Sequence, residues 1–198
     1  NQKILNEFIK KFNIQFNKKI ILFPGRITEW KGQIEFLEII KFFQEKNLFF
    51  IFVGDGKNYK IKNKLIKKIE ANGLKKRCFI YDNMNSTELR MMYYLSTIVI
   101  SAPIRPEGFG RTISESLSMR KKILAYNYGG AKDQLDKLDN LYKVQPNNKK
   151  DLIYKIQKAL QINNEEFENI SKISRIKVIN FFSKEQMLSK YLELYLGL

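Results

Sequence analysis

The chain has 198 residues, 36 Lys or Arg against 20 Asp or Glu, a single cysteine and no histidine. The lack of histidine excludes histidine-activated nucleophiles, histidine general bases and most zinc sites from this segment. The lone cysteine, Cys78, excludes an internal disulfide and indicates a reducing setting. A length of this order is enough for one compact α/β domain, so residues 1–198 are predicted to form a single domain.

The first half of the chain alternates apolar runs with amphipathic stretches. Residues 20–24 (IILFP) predict a strand that stops at Gly25, and residues 33–45 carry apolar side chains near helical spacing. The most apolar run predicts a strand at 48–53, again followed by glycine. Apolar residues four positions apart, closed by Asn-Gly, predict a helix at 59–71.

The second half continues the alternation and then becomes helical. Strands are predicted at 78–81, 97–101 and 123–126, with a short extended piece at 141–144. Helices are predicted from Ser86 onward and at 112–119, and the segment 149–198 is predicted to be helical at 149–161, 165–179 and 184–196. Strands that alternate with helices predict an α/β fold, with a Rossmann-like parallel sheet and helices on both of its faces.

The formal charge of +16 has three interpretations. The lysines are scattered through every segment together with Asn and Ile, which is typical of a compositional bias. Attraction to an anionic membrane surface is the second interpretation. Nucleic-acid binding is the third, and it is not expected because no recognition helix, aromatic RNA-binding pair or zinc-finger pattern accompanies the charge.

The location of the protein is predicted from what the sequence lacks. No signal-like leader and no run of about 18 apolar residues is present, so a cytoplasmic location is expected, with peripheral contact to the inner face of the membrane as an extension of the charge argument. The first residue is Asn1, which is interpreted as the start of a segment cut from a longer protein.

Glycines follow most of the predicted strands, where a parallel sheet binds its ligands. Gly25 and Gly54 end the first two strands, and Gly110 precedes a predicted helix. Glycine lets the backbone approach a phosphate, although each glycine has the alternative role of simply turning the chain. Arg26 and Lys31 flank the first of these turns, and they are either ligands for a diphosphate or ordinary surface cations.

Two carboxylates, Glu107 and Glu115, flank a second glycine-rich turn in the segment EGFGRTISE. Because Glu115 falls about one turn inside the helix that follows, both carboxylates are predicted to point toward the same edge of the sheet. Carboxylates accept hydrogen bonds from sugar hydroxyls, and the backbone N–H groups of Phe109, Gly110 and Arg111 suit a phosphate. Two glutamates at this spacing are a weak pattern by themselves, and their place at a glycine-rich turn on the sheet edge makes it a strong one.

The order of these motifs resembles the donor-binding, C-terminal domain of the family 4 retaining glycosyltransferases, which have the GT-B fold and include many bacterial surface-polysaccharide enzymes. The matching segments are GRITEWKGQ (25–33), FVGDG (52–56), ELRMMYYLSTIVISAP (88–103), EGFGRTISE (107–115) and YNYGG (126–130). The sequence departs from the family in having Arg120 where glycine is usual and Asp133 where Glu is common. Lys122 lies in the same atypical stretch as Arg120.

The resemblance implies a role for each candidate residue. Arg26 and Lys31 would hold the donor diphosphate and stabilise the leaving group in place of a metal, and Glu107 would face the sugar. Glu115 would accept the ribose hydroxyls, and the base would lie near Asp82 and Met84. The remaining donor-binding positions are Gly25, Gly54, Phe109, Gly110 and Arg111. No cofactor or metal is expected, since the implied substrate is a UDP- or GDP-linked sugar.

The resemblance also implies what lies outside this segment. The acceptor would bind to an N-terminal domain of the same chain, so the segment alone is expected to be inactive as a hexosyltransferase. The last predicted helix, with Met187, Tyr191 and Tyr195 four residues apart, would either cross back to that domain or pack on its own. Rival functions are a non-catalytic nucleotide-sugar-binding module and a GT-B epimerase or glycogen-synthase-like enzyme.

Overall fold

A computed structural model describes residues 2–15, 17–55, 59–136 and 138–197 of the protein. Its six strands are β1 (Lys19–Pro24), β2 (Leu48–Val53), β3 (Cys78–Tyr81), β4 (Ile98–Ser101), β5 (Lys122–Tyr126) and β6 (Lys143–Val144). They form one sheet in the order β3-β2-β1-β4-β5-β6, and every pairing is parallel. The predicted Rossmann-like sheet is confirmed.

Helices cover both faces of the sheet. They are α1 (Gln2–Lys11), α2 (Gln33–Ile40), α3 (Tyr59–Ala71), α4 (Ser86–Leu95), α5 (Arg111–Ser118), α6 (Gly130–Leu135), α7 (Lys149–Gln161), α8 (Asn164–Phe182) and α9 (Lys184–Leu196). One core cluster packs α2, α3 and α7 against the sheet, and a second cluster packs α1, α4, α5, α6 and α8 against the opposite face. The strands are buried from both sides, which explains their continuous apolar runs.

Several boundaries differ from the predicted ones for identifiable reasons. Helix α2 stops at Ile40 instead of residue 45, because the amides of Phe42 and Phe43 turn back to carbonyls only three residues earlier. Helix α4 begins at Ser86 as predicted, with Asn85 as its N-cap in a capping box with Glu88. The predicted extended piece at 141–144 begins as a 3₁₀ turn, Asn140–Tyr142, and only β6 is extended.

Helices α1 and α6 are not predicted by the sequence patterns above, and α9 is the helix for which two alternatives were left open. None of the residues of α9 is buried. Exposed apolar side chains are those expected for a helix that crosses to another domain, and both alternatives stay predictions. No helix within the described ranges is both long and apolar enough to traverse a bilayer.

The sheet order places a crevice between β1 and β4. The chain runs outward from β1 to β3 on one side and from β4 to β6 on the other, so the connections that leave β1 and β4 diverge. In open parallel sheets, ligands bind beyond the carboxyl ends of the strands at such a point. The turns after β1 and β4 are those that carry the predicted site residues.

Candidate functional site

A cavity of about 410 Å³, here called the carboxyl-edge cavity, opens at the carboxyl ends of β1 and β4. Its lining combines the turn after β1 with the turn before α5 and the first residues of α5. The lining residues are Pro24, Gly25, Arg26, Trp30, Lys31, Leu89, Pro106, Glu107, Gly108, Phe109, Gly110, Arg111, Thr112 and Glu115. The two predicted cations and the two predicted carboxylates therefore lie around one cavity.

The turn after β1 is held against the end of β4 by a close backbone contact. At Gly32, φ is 88°, and a Cβ atom would lie 2.1 Å from the carbonyl oxygen of Ala102. Gln33, the first residue of α2, has a buried side chain whose amide group donates to the carbonyl of Arg26 at 3.1 Å. These contacts fix the backbone that carries Arg26 and Lys31.

The turn before α5 is held by the start of α6. The amide of Gly130 donates to the carbonyl of Glu107 at 2.8 Å, and a Cβ atom on Gly130 would lie 2.3 Å from the carbonyl oxygen of Gly108. The buried side chain of Gln134 donates to the carbonyls of Phe109 and Gly110. The glycine-rich turn is thus a rigid wall of the cavity.

Lys31 and Glu107 form an ion pair across the cavity, between the two turns. Their side chains are only 15% and 14% exposed, so the pair is weakly screened by solvent. The Lys31 ammonium also lies over the Trp30 ring, 5.0 Å from its centre. A cation and an anion are therefore presented side by side to any ligand that enters.

Glu115 lies at another part of the cavity wall and is held by Tyr93. The Tyr93 hydroxyl donates to Oε2 of Glu115 at 2.7 Å. Burial raises the pKa of Tyr93 well above its usual range, and the adjacent Glu115 carboxylate raises it further. The phenol therefore remains a protonated donor, and Glu115 presents a carboxylate of fixed position.

Positive charge reaches the cavity from two arginines and from the start of α5. The Arg26 and Arg111 residues are exposed and line the cavity. Helix α5 begins at Arg111, so the unpaired N–H groups and the positive dipole end of its first turn lie at the cavity wall. These groups can bind a phosphate or diphosphate, and the carboxylates of Glu107 and Glu115 can accept hydrogen bonds from hydroxyl groups. No group of three or more His, Cys, Asp or Glu in the described part of the chain is arranged to hold a metal ion.

Three predicted positions do not line the cavity. Gly54 supports it from behind, because a Cβ atom there would lie 2.1 Å from the carbonyl oxygen of Gly25. Asp82 is exposed at the end of β3 and pairs with Lys62 at 2.5 Å, while Met84 packs in a core cluster. The proposed role of Asp82 and Met84 at the base stays a prediction. Gly56, the last residue of the FVGDG segment, lies outside the described residues.

Sequence reasoning overlooked three side chains that shape the cavity. Gln33 and Gln134 are buried amides that hold the two turns, and Tyr93 holds Glu115. Each glutamine follows a glycine turn and falls on the inner face of a helix, where a polar side chain requires a hydrogen-bond partner. That signal is present in the sequence. The partner of Tyr93 is 22 residues away and becomes visible only when α4 and α5 pack together.

Comparison with known sequences yields one family. Residues 6–177 match the profile of the family described as Glycosyl transferases group 1. No curated protein sequence gives a significant match.

Comparison with solved structures gives consistent neighbours. A glycosyltransferase from Rickettsia africae ESF-5 superposes with a TM-score of 0.90 at 33% identity, over 98% of this chain and 52% of that one. The C-terminal domain of a group 1 family protein, LpcC, from Francisella tularensis superposes with a TM-score of 0.73 at 21% identity, over 90% of this chain and 92% of that one. Anabaena HepE in complex with UDP and glucose superposes with a TM-score of 0.87 at 18% identity, over 100% of this chain and 53% of that one. The chain spans about half the length of the Rickettsia and Anabaena proteins.

Proposed function

The chain belongs to the group 1 glycosyltransferases, and from this premise we propose that its carboxyl-edge cavity binds a nucleotide-diphosphate sugar and supports transfer of the sugar, with retention, to an acceptor. One observation carries the proposal. Arg26, Lys31, Glu107 and Glu115 come from separate parts of the chain and line a single cavity at the switch point of the sheet. Retention of configuration follows from the resemblance to the family 4 enzymes.

The diphosphate is assigned to the two cations and the first amides of α5. Lys31 and Arg26 supply positive charge, and the first amides of α5 supply hydrogen-bond donors without rearrangement. Negative charge builds on the diphosphate as the bond to the sugar breaks, so donors that are already oriented lower the barrier. In this proposal the chain's own cations stabilise the leaving group, and no metal or cofactor is required.

The sugar and the ribose are assigned to the two carboxylates. Glu107 meets the sugar hydroxyls once the diphosphate has taken over its contact with Lys31. Glu115, held by Tyr93, accepts from the ribose. HepE, which shares the fold, was solved with UDP and glucose, and this makes UDP the first nucleotide to test.

The complete reaction belongs to a longer protein. Since the chain spans about half of the Rickettsia and Anabaena proteins, we assign the acceptor site to a further domain, and we expect this chain to be inactive without it. A cytoplasmic reaction at the inner face of an anionic membrane, in the synthesis of a bacterial surface polysaccharide, is the setting that the net charge of +16 and the family resemblance support.

Thermal unfolding with a graded set of ligands tests the binding step. UDP, GDP and their glucose or mannose esters should raise the melting temperature, since a ligand at about 100 times its Kd stabilises the folded state by about 2.7 kcal/mol. Uridine and guanosine, which lack the diphosphate, should shift it far less. Absence of a shift with every nucleotide contradicts the proposal.

Product analysis with the complete protein tests the reaction. Transfer of labelled sugar to an acceptor, with the configuration of the donor kept in the product, is expected. Release of an epimerised sugar nucleotide would identify an epimerase instead. Binding without turnover in the presence of acceptor extracts would identify a sensing module.

A further inference from the structure

Helices α4 and α5 meet at a hydrogen bond that packing alone does not require. Tyr93 on α4 is 3% exposed and lies within an apolar core cluster, yet its hydroxyl reaches Oε2 of Glu115 at 2.7 Å. The phenol therefore has its hydrogen-bond partner on α5, at the carboxylate that lines the cavity.

The two oxygens of the Glu115 carboxylate have different hydrogen-bonding partners available to them. Oε2 accepts from Tyr93, and no hydrogen bond to Oε1 is formed by the described residues. Because Glu115 lines the cavity, Oε1 is the oxygen left for a ligand. A glutamate side chain has several rotatable bonds, and fixing one oxygen in advance removes most of the freedom that ligand binding would otherwise have to restrict.

We propose that Tyr93 is a positioning residue that sets the preference of the cavity for ribose over a sugar without hydroxyl groups, by holding Glu115 with Oε1 turned toward the ligand. The inference rests on the proposed function, since it takes the Glu115 side of the cavity as the ribose side. Tyr93 itself contacts no ligand, and it acts only through Glu115. Burial and the adjacent carboxylate both raise the pKa of Tyr93, so the phenol stays a donor over the pH range of any binding assay.

The test compares Tyr93→Phe with Tyr94→Phe, which removes the same hydroxyl from the next residue of α4. Tyr94 is 58% exposed and does not line the cavity. Calorimetry would measure the Kd of UDP, of GDP and of their 2′,3′-dideoxy counterparts for each variant. Tyr93→Phe should weaken the preferred ribonucleotide about 3- to 10-fold, within the range that restricting one side chain on binding costs. The dideoxy counterpart should change by less than about twofold, as should every ligand in Tyr94→Phe.

A double-mutant cycle separates positioning from a general structural effect. In a Glu115→Ala background, Tyr93→Phe should have no further effect on the Kd of the ribonucleotide, because the side chain it positions is gone. Equal losses for ribonucleotide and dideoxynucleotide, or an undiminished loss in the Glu115→Ala background, would overturn the inference.

The same measurements distinguish this inference from the proposed function. If Glu115→Ala abolishes the ribose preference and Tyr93→Phe leaves it intact, the role of Tyr93 is wrong and the ribose role of Glu115 stands. If the unchanged protein binds neither UDP nor GDP, the proposed function fails, and the inference fails with it.

Discussion

The carboxyl-edge cavity and helix α9 differ in how fully the chain provides partners for its own side chains. Around the cavity, Lys31 pairs with Glu107, and Glu115 accepts from Tyr93. In α9 no residue is buried, and the exposure of its large apolar side chains ranges from 46% at Leu188 to 85% at Tyr195. The comparison teaches that this chain assembles the cavity by itself, whereas the described residues leave much of the apolar surface of α9 exposed. Exposed apolar patches of this kind are typical of interaction sites.

The largest expected effect on stability comes from replacing a leucine by alanine, once beside the cavity and once in α9. Leu117 in α5 is fully buried behind the cavity, whereas Leu192 in α9 is 59% exposed. Leu117→Ala should lower the free energy of unfolding by about 2–5 kcal/mol, because it leaves a cavity in the core. Leu192→Ala should change it by less than about 0.5 kcal/mol. Urea denaturation of this chain measures both, and a similar loss in the two variants would erase the distinction between the regions.

Replacing Arg26 or Lys31 by alanine should lower turnover more than it lowers the stability of the fold. In the complete protein, Arg26→Ala and Lys31→Ala should each reduce turnover about 100-fold, since each removes charge stabilisation from the leaving diphosphate. Lys41→Ala is a matched control, because Lys41 is exposed just after α2 and pairs with Glu38 away from the cavity. Its turnover should stay within about twofold. Turnover near the normal value in both cavity variants contradicts the diphosphate assignment.

Replacing two glycines by alanine tests whether the turn after β1 is tightly packed. Gly32 and Gly73 both have positive φ, 88° and 67°, but only Gly32 abuts another backbone segment. Gly73→Ala should cost about 1 kcal/mol, the penalty of a left-handed alanine. Gly32→Ala should cost at least about 2 kcal/mol, because the clash with the Ala102 carbonyl adds to that penalty. Equal losses of unfolding free energy in the two variants, measured by denaturation, would mean that the turn after β1 shifts to accommodate the added Cβ atom.

The smallest expected effect on stability concerns Arg120, which follows α5 and contacts α8. Its φ is 55°, and its side chain donates to Ser171 at 3.1 Å. Arg120→Gly and Arg120→Ala both remove that contact, but only glycine relieves the left-handed backbone. The glycine variant should therefore be more stable than the alanine variant by about 1 kcal/mol. An alanine variant of equal or greater stability would show that the backbone there relaxes without glycine.

Much of the fold could be predicted because the strands have strong local signals. Each predicted strand is a short apolar run bounded by glycine, proline or a polar turn, and β2 and β3 coincide with the predicted ranges. Arg120, which stands where glycine is usual in the family, has a left-handed backbone with φ of 55°. Helices α1 and α6 gave weaker signals, since α1 buries only Phe8 and α6 is six residues long.

The candidate site was predictable where residues lie in glycine turns and unpredictable where distant elements meet. Arg26 and Glu107 stand beside glycines at strand ends, and that placement alone puts them at the same edge. The contact of Tyr93 with Glu115 depends on the rotation of α4 against α5, which local patterns do not specify. Likewise, the distance of Asp82 from the cavity depends on the order of the strands, since β3 lies at the far edge of the sheet.

The ion pair between Lys31 and Glu107 also bears on which small solutes the cavity admits. A tethered carboxylate acts on the ammonium at an effective concentration of the order of millimolar or higher, so chloride or inorganic phosphate must displace it before gaining Lys31. A donor that reaches Arg26, the amides of α5 and Glu115 at the same time meets this competition with several contacts. Inorganic anions therefore gain Lys31 less readily than a molecule that makes several contacts in the cavity at once, because Glu107 already pairs with the ammonium.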